Sequence, residues 1–228
     1  AGMRKWVVTI DGPAGAGKTT VSRGLADRLG YTYVDTGALY RGVALAARRA
    51  GVAVDDDAGL QALLDGIDLK FVRSAEGSRL YNGEEDIEDR IRTPEISMLA
   101  SAVSARPVVR RYLLEVQRRL GRRKGAVFEG RDMGTVVFPD ADVKFFLDAP
   151  LAVRARRRYR ELAGRSEQTL EDVRGDMAER DRNDQSRALA PLRPAADAIV
   201  IDSAGLTPAG VVERMLAEIK ALEGDGTH

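Results

Sequence analysis

The sequence predicts an α/β fold, a five-stranded parallel sheet flanked by helices on both faces. Three observations carry this. Short apolar runs at 6–10, 31–35, 125–129, 142–148 and 198–201 alternate with longer segments whose apolar residues recur at helical spacing, the pattern of strand–helix–strand crossovers. The first run opens through a glycine-rich turn straight into a helix, as at the carboxyl edge of an open parallel sheet. The alternation is interrupted at 67–92. There residues 67–72 alternate with period two, and Asn82-Gly83 follows Arg79-Leu-Tyr81, a strong hairpin signal that places a small antiparallel sheet as an insertion.

The first element organises the rest. Residues 5–19 read KWVVTIDGPAGAGKT. The apolar run 6–10 is a buried strand, and residues 12–19 match G-x-x-x-x-G-K-[ST], the P-loop. Gly12, Gly15 and Gly17 let backbone N–H groups turn toward a polyphosphate with no Cβ in the way. Pro13, Ala14 and Ala16 complete the turn, and Thr20 follows it. The helix over 19–29 aims its positive end at the same phosphates. Lys18 would reach the β- and γ-phosphates of a nucleoside triphosphate, and the Thr19 hydroxyl would sit beside Mg²⁺. A glycine turn with a chance lysine would lack the strand before and the helix after. The expected fold is therefore that of the P-loop NTPases, a class that holds GTPases, motors and small-molecule kinases alike.

Composition narrows the chemistry. A length of 228 residues suits one domain with subdomains, and 44% hydrophobic with 31% charged residues is ordinary for a soluble globular protein. A net charge of +1 gives no bulk attraction to nucleic acid or membrane. Arginine outnumbers lysine thirty to six, which suits phosphate recognition and is explained equally well by genome composition. No cysteine is present, so disulfides, a thiol nucleophile and a cysteine zinc site are excluded, and the one histidine is His228. Histidine acid–base catalysis is not expected. No apolar stretch approaches membrane-spanning length and no signal peptide precedes the first strand, so the expectation is a cytoplasmic protein; a monomer is expected as well. Ala1-Gly2 ahead of Met3 reads as a cloning remnant.

The remaining elements follow in order. The first helix presents Val21, Leu25 and Leu29 on one stripe, and Gly30 stops it. After the strand at 31–35, Thr36 serves as N-cap of a helix to about 49. Arg41 lies just over one turn inside, near the sheet's ligand edge, with a solvated helix-face arginine as the alternative. Residues 55–66 make a short helix. Beyond the inserted sheet, Pro94 and Pro107 each open a helix. The first carries Ser101, the second Arg110 within a basic face. Residues 130–134, GRDMG, place Arg131 and Asp132 between glycines at a strand end, a binding loop or a salt-bridged turn. A helix at 152–162 carries Arg154, Arg156, Arg157, Arg158 and Arg160. Gly164 breaks it, and a further helix at 170–182 leads to Arg180, Asp184 and Arg187. Residues 188–194 are irregular. A strand at 198–201 and a helix at 207–222 close the chain.

The P-loop implies a phosphoryl donor and leaves the acceptor open. No N-K-x-D stretch supports a GTPase, and nothing beyond the strand at 143–148 supports a motor. A compact kinase remains. Phosphoryl transfer asks mainly for alignment and charge neutralisation, and an arginine-rich helical segment bounded by glycine suits a closing lid. The rivals are a kinase of another small acceptor and a nucleotide-dependent RNA-binding protein using the arginines at 106–123, whose face lacks interleaved aromatics.

The chain resembles the bacterial cytidylate (CMP) kinases of the nucleoside monophosphate kinase group. The resemblance rests on IDGPAGAGKTT at the start, DTGALYR at 35–41, EGRDMGTVVFPDA at 129–141, RDRNDQSRALAPL at 180–192 and AADAIVIDS at 195–203. It covers essentially the whole chain, and the inserted sheet fits it. It implies Mg·ATP-dependent phosphorylation of CMP or dCMP, with ATP and these nucleotides as the small-molecule partners. It implies that Lys18, Arg131, Arg157 and Arg158 act on the transferring group and that Arg41 and Arg131 hold the acceptor phosphate beside Thr36. Ser101, Arg110 and Asp132 would read the cytosine ring, and Asp184, with Arg180 and Arg187, the ribose. It divides the single domain into a core at about 1–35, 124–153 and 190–228, a monophosphate-binding lobe at 36–123 and a lid at 154–189. The chain departs from the family in Ala14 and Thr36, where serine is frequent, and in Thr19, where glycine is frequent.

Overall fold

The computed structural model describes residues 5–74, 77–164, 166–186 and 190–225. Five strands form one sheet in the order β2-β6-β1-β7-β8, being β2 (Thr32–Asp35), β6 (Ala126–Gly130), β1 (Val7–Asp11), β7 (Val143–Asp148) and β8 (Ile199–Asp202). This is the sheet expected from the alternation. Registers are parallel, with Asp11 opposite Gly130 and Phe146, and Leu147 opposite Ile201. A second, antiparallel sheet joins β3 (Leu69–Ser74), β4 (Gly77–Asn82) and β5 (Glu85–Asp86). The chain divides into two compact units, residues 1–31 with 125–228, and residues 32–124.

In the first unit β1 lies between two partner strands, so all five of its residues are buried. Val8, Ile10, Val127, Phe128, Phe145, Leu147 and Ile201 fill the core. The helices are α1 (Lys18–Leu29), α6 (Leu151–Leu162), α7 (Leu170–Ser186) and α8 (Pro208–Asp225). A Cβ at Gly24 of α1 would sit 3.2 Å from Val212 Cγ2 of α8, so glycine permits the close approach of these two helices. Trp6, 5% exposed, is tied down at the start of β1, where its backbone N–H donates to Tyr31 Oη at 3.0 Å.

The second unit packs α2 (Thr36–Ala50), α3 (Asp57–Gly66), α4 (Pro94–Ser104) and α5 (Pro107–Gly121) around a core that includes Leu39, Val43, Leu60, Leu64, Leu69, Leu80, Ile96 and Leu113. The expected hairpin is present: Asn82 pairs with Glu85, and Gly83 takes a left-handed φ of 59°.

Three local details differ from the sequence reading. Asp35, not Thr36, caps α2: its carboxylate accepts the Ala38 N–H at 3.1 Å and Thr36 is the first helical residue. Both residue types cap well, and spacing alone does not separate neighbours. Helix α7 extends to Ser186, so Asp184 lies on it; no glycine or proline stops it sooner. Residues Met133–Val137 form a π-helical turn, with Phe138 N–H donating to the Met133 carbonyl at 2.7 Å.

Candidate active site

The cradle runs from the end of β1 into α1, and its glycines adopt the backbone its shape requires. Gly12 has φ 151°, and a Cβ there would fall 2.0 Å from the Leu147 carbonyl oxygen; Gly15 and Gly17 have φ 73° and 93°. Gly17 is the residue before α1. Pro13 and Ala16 are buried, Ala14 is half-buried, and Thr19 and Thr20 are exposed. Lys18 is buried and its Nζ donates to the Pro13 carbonyl at 2.9 Å. Burial lowers its pKa to about 7, Arg131 and Arg180 push the same way, and Glu129 and Asp11 oppose. Arg180, although exposed, therefore acts electrostatically on the lysine.

Two acids at or near strand ends, Asp11 and Glu129, also belong to this site. Thr19 Oγ1 donates to Glu129 Oε1 at 2.9 Å, pairing a hydroxyl of α1 with the carboxylate near the end of β6. The Asp11 carboxylate, 4% exposed, accepts the backbone N–H groups of Met133 and Gly134 at 2.9 and 2.8 Å. Burial raises its pKa to about 6 against the lowering effect of those two bonds. A buried acid closing an apolar strand was the available signal.

Arg131 and Asp132 follow β6 directly. Arg131 Nη1 donates to the Gly12 carbonyl at 3.3 Å and pairs with Asp184 Oδ2 at 3.0 Å, where Asp184 is 3% exposed. The structure thus joins Arg131, Asp184 and the cradle. Asp132, half-buried, caps the π turn with its carbonyl, which accepts from Val136 and Val137.

Helix α6 also meets the cradle. Arg157 donates to Ser203 Oγ and carbonyl at 2.9 and 2.7 Å and to the Ala16 carbonyl at 3.4 Å. Arg158 is exposed and bonds Glu161 on its own helix at 3.1 Å. Arg154, which sequence spacing did not separate from its neighbours, is the buried one.

In the second unit, Thr36 is buried at the start of α2. Arg41 Nη2 donates to Asp35 Oδ2 at 2.9 Å, and Arg92 Nη1 reaches the same oxygen at 3.3 Å. Two guanidinium groups therefore converge on one carboxylate, and the sequence reading named only one of them. Ser101 and Arg110 are neighbours through Ser104, whose Oγ donates to the Ser101 carbonyl at 2.7 Å and whose carbonyl accepts from Arg110 Nη1 at 3.4 Å. Arg187 lies outside the described residues.

A glycine cradle at the carboxyl edge of a parallel sheet, with a buried lysine at the head of the next helix, defines a P-loop nucleotide-binding protein. Solved structures agree on the fold. Shikimate kinase from Bacteroides thetaiotaomicron matches with a TM-score of 0.52 at 12% identity, covering 95% of this chain and 99% of its own. A gluconokinase from Sinorhizobium meliloti 1021 matches with a TM-score of 0.50 at 15% identity over 99% and 100%. The chain belongs to the cytidylate kinase family, whose model matches residues 8–221. A cytidylate kinase from Geobacter sp. (strain M21) is 53% identical over 94% of this chain and 92% of its own length. The cytidylate kinase of Geobacter sulfurreducens is 51% identical over 98% and 96%.

Proposed function

We propose that this enzyme transfers the γ-phosphoryl group of ATP to CMP or dCMP, giving ADP and CDP or dCDP. The observation that carries the reading is the adjacency of β1 and β6. Asp11 lies opposite Gly130, so the cradle and the Arg131-Asp132 loop leave the sheet side by side. An oxygen of the acceptor's phosphate attacks the γ-phosphorus in line, and the bond to the β,γ-bridging oxygen breaks. An acceptor phosphate needs no histidine base.

The residues divide the work. The cradle, residues 12–20, binds the triphosphate, and Lys18 exchanges its Pro13 partner for the β- and γ-phosphates. Arg41 and Arg131 bind the acceptor phosphate beside Thr36, its oxygens taking the place of the Asp35 and Asp184 carboxylates. Asp132 accepts from the cytosine amine, with Ser101 and Arg110 on the same base. Asp184, Arg180 and Arg187 serve the ribose. Arg157 and Arg158 neutralise the moving group; both are engaged in the structure, with Ser203 and with Glu161, so they change partners when ATP arrives. Residues 36–123 act as the monophosphate-binding lobe and 154–189 as the lid, around a core at 1–35, 124–153 and 190–228.

Thr19 and Glu129 would hold Mg²⁺. They offer a hydroxyl and a carboxylate, hard oxygen donors. Among the described residues no cluster of three or more His, Cys, Asp or Glu could hold a metal alone, which suits an ion that takes most of its ligands from phosphate and water. When bound, Mg²⁺ would neutralise charge on the β- and γ-phosphates.

Among the described residues no helix is long and apolar enough to cross a membrane, and we place the enzyme in the cytoplasm as a monomer with nucleotide partners only. The deciding experiment follows ADP formation from Mg·ATP with CMP, dCMP, UMP, AMP and GMP in turn. CMP and dCMP should lead in kcat/KM; a preference for a purine monophosphate would overturn the reading.

A further inference from the structure

Arg154 has every arm of its guanidinium engaged while only 5% exposed. Nε donates to the Ala149 carbonyl at 2.8 Å and Nη1 to the Ala14 carbonyl at 3.1 Å. Nη1 and Nη2 also donate to the two carboxylate oxygens of Asp181, at 3.2 and 2.6 Å. One side chain thus links the end of β7, the cradle and α7. The Ala14 bond carries the consequence. A trans peptide holds its C=O and N–H on opposite sides. Drawing the Ala14 oxygen toward α6 therefore directs the Gly15 N–H away from α6. Ser203 Oγ does the same one peptide pair further on, donating to the Ala16 carbonyl at 3.1 Å and so setting the Gly17 N–H.

Within the turn the Ala16 N–H and Lys18 Nζ both donate to the Pro13 carbonyl, at 3.4 and 2.9 Å, and neither bond takes the Ala14 carbonyl. Gly15 has φ 73° and no side chain to restrict it. Its surroundings restrict it instead. A Cβ there would meet Met177 Cε of α7 at 2.7 Å and Arg154 Cβ at 3.2 Å. Ala14 packs against the small apolar cluster of Ala155, Val173 and Met177. Helices α6 and α7 therefore form the outer wall of the cradle, and Arg154 is the polar fastening within that wall.

We propose that Arg154, held in orientation by Asp181, is a positioning residue for ATP: it fixes the 14–15 peptide from outside so that the Gly15 N–H faces the triphosphate. Arg154 does not touch the nucleotide. The inference rests on the reading of the cradle as the ATP site. Lysine cannot replace arginine here, because a single ammonium on a flexible stem cannot span four acceptor oxygens on three residues set by a planar fork. A buried ion pair that served folding alone would lower stability when altered and would treat both substrates equally.

The test uses the full chain with Arg154→Lys and, as a second variant closer to native volume, Asp181→Asn. Three quantities are read: the Kd of ATP by titration calorimetry without acceptor, the KM of Mg·ATP and of CMP, and the thermal midpoint. Arg154→Lys should weaken ATP binding and raise its KM by about tenfold, on the scale of one charge-assisted bond. The KM of CMP should stay within about twofold. Asp181→Asn should shift ATP in the same direction by less. Unchanged ATP affinity in both variants overturns the proposal, as does a parallel rise in both KM values that tracks the midpoint. If wild type binds ATP yet forms no ADP with CMP, the acceptor reading fails while the calorimetric comparison still decides the role of Arg154. If Arg154→Lys does not fold, Asp181→Asn decides by the same criteria.

Discussion

The Asp11 carboxylate holds Gly134 by its backbone, accepting the N–H at 2.8 Å, and its other oxygen takes Met133 at 2.9 Å. The strand that launches the cradle thereby also fixes the loop that carries Arg131 and Asp132. Asn in place of Asp11 would keep one acceptor and turn an NH₂ toward the second N–H. The KM for CMP should rise by about tenfold, one charge-assisted bond in scale, more than that for ATP. The stability effect has a defined pH course. Burial raises Asp11 from its ordinary 3.8 to about 6. Between those values the folded chain keeps a proton that the unfolded chain has lost. The resulting stabilisation is full below pH 3.8 and is lost as pH rises through 6. Urea titrations across this range should show the stability of wild type, relative to Asp11→Asn, declining with pH and then levelling. A pH-independent difference would contradict the assignment.

Lys18 titrates with the opposite consequence. Burial lowers it from 10.5 to about 7, so over that interval the unfolded chain binds the proton that the folded chain has released, and stability gained from this group grows as pH rises. A bound triphosphate restores the charge. ATP binding with excess Mg²⁺ at about pH 8 should take up close to one proton per site, because the free lysine is then mostly neutral. Calorimetry in buffers of different ionisation enthalpy measures the uptake, and Lys18→Met should abolish it.

Asp132 offers a sharper test of base recognition. Asp132→Ala removes the acceptor for the cytosine amine and should cut kcat/KM for CMP by about a hundredfold or more, the scale for a site deprived of a substrate-matching polar partner. Its circular dichroism should match wild type, because the π turn is capped by the Asp132 backbone carbonyl, which survives the change. Full CMP activity in this variant would remove Asp132 from the pocket.

Gly12 tests the cradle's backbone. A Cβ at this position would stand 2.0 Å from the Leu147 oxygen at a φ of 151°. No side-chain rotation relieves a clash with backbone. Gly12→Ala should destabilise by about 2 kcal/mol or more, the range for strain at a special backbone position, and should lose ATP binding; denaturant midpoints and calorimetry read the two effects.

The legibility of these features in sequence follows from how local their causes are. The cradle is readable because a steric requirement at 12, 15 and 17 selects glycine at those places. The antiparallel insertion is readable because Asn82-Gly83 is a turn with its own chemistry. The importance of Arg154 was not readable. It sits in a run with Arg156, Arg157, Arg158 and Arg160, and only the packing of α6 decides which of them turns inward. The π turn lacked a signal for a related reason, since i→i+5 bonding leaves no periodic pattern over five residues. Asp11, Asp35 and Glu129 carry no signal in the sequence beyond their place at or near a strand end. Their partners, Gly134, Arg92 and Thr19, are distant in sequence, and pairing at that range depends on the assembled sheet or helix.

Trp6 is the chain's sole tryptophan, and it is anchored beside Tyr31 at the head of the strand that leads into the cradle. Its emission is therefore a built-in optical gauge of the first unit, residues 1–31 with 125–228. Far-ultraviolet ellipticity sees the helices of both units. Superimposing the two melting curves would reveal whether residues 32–124 come apart in step with the rest or on their own schedule.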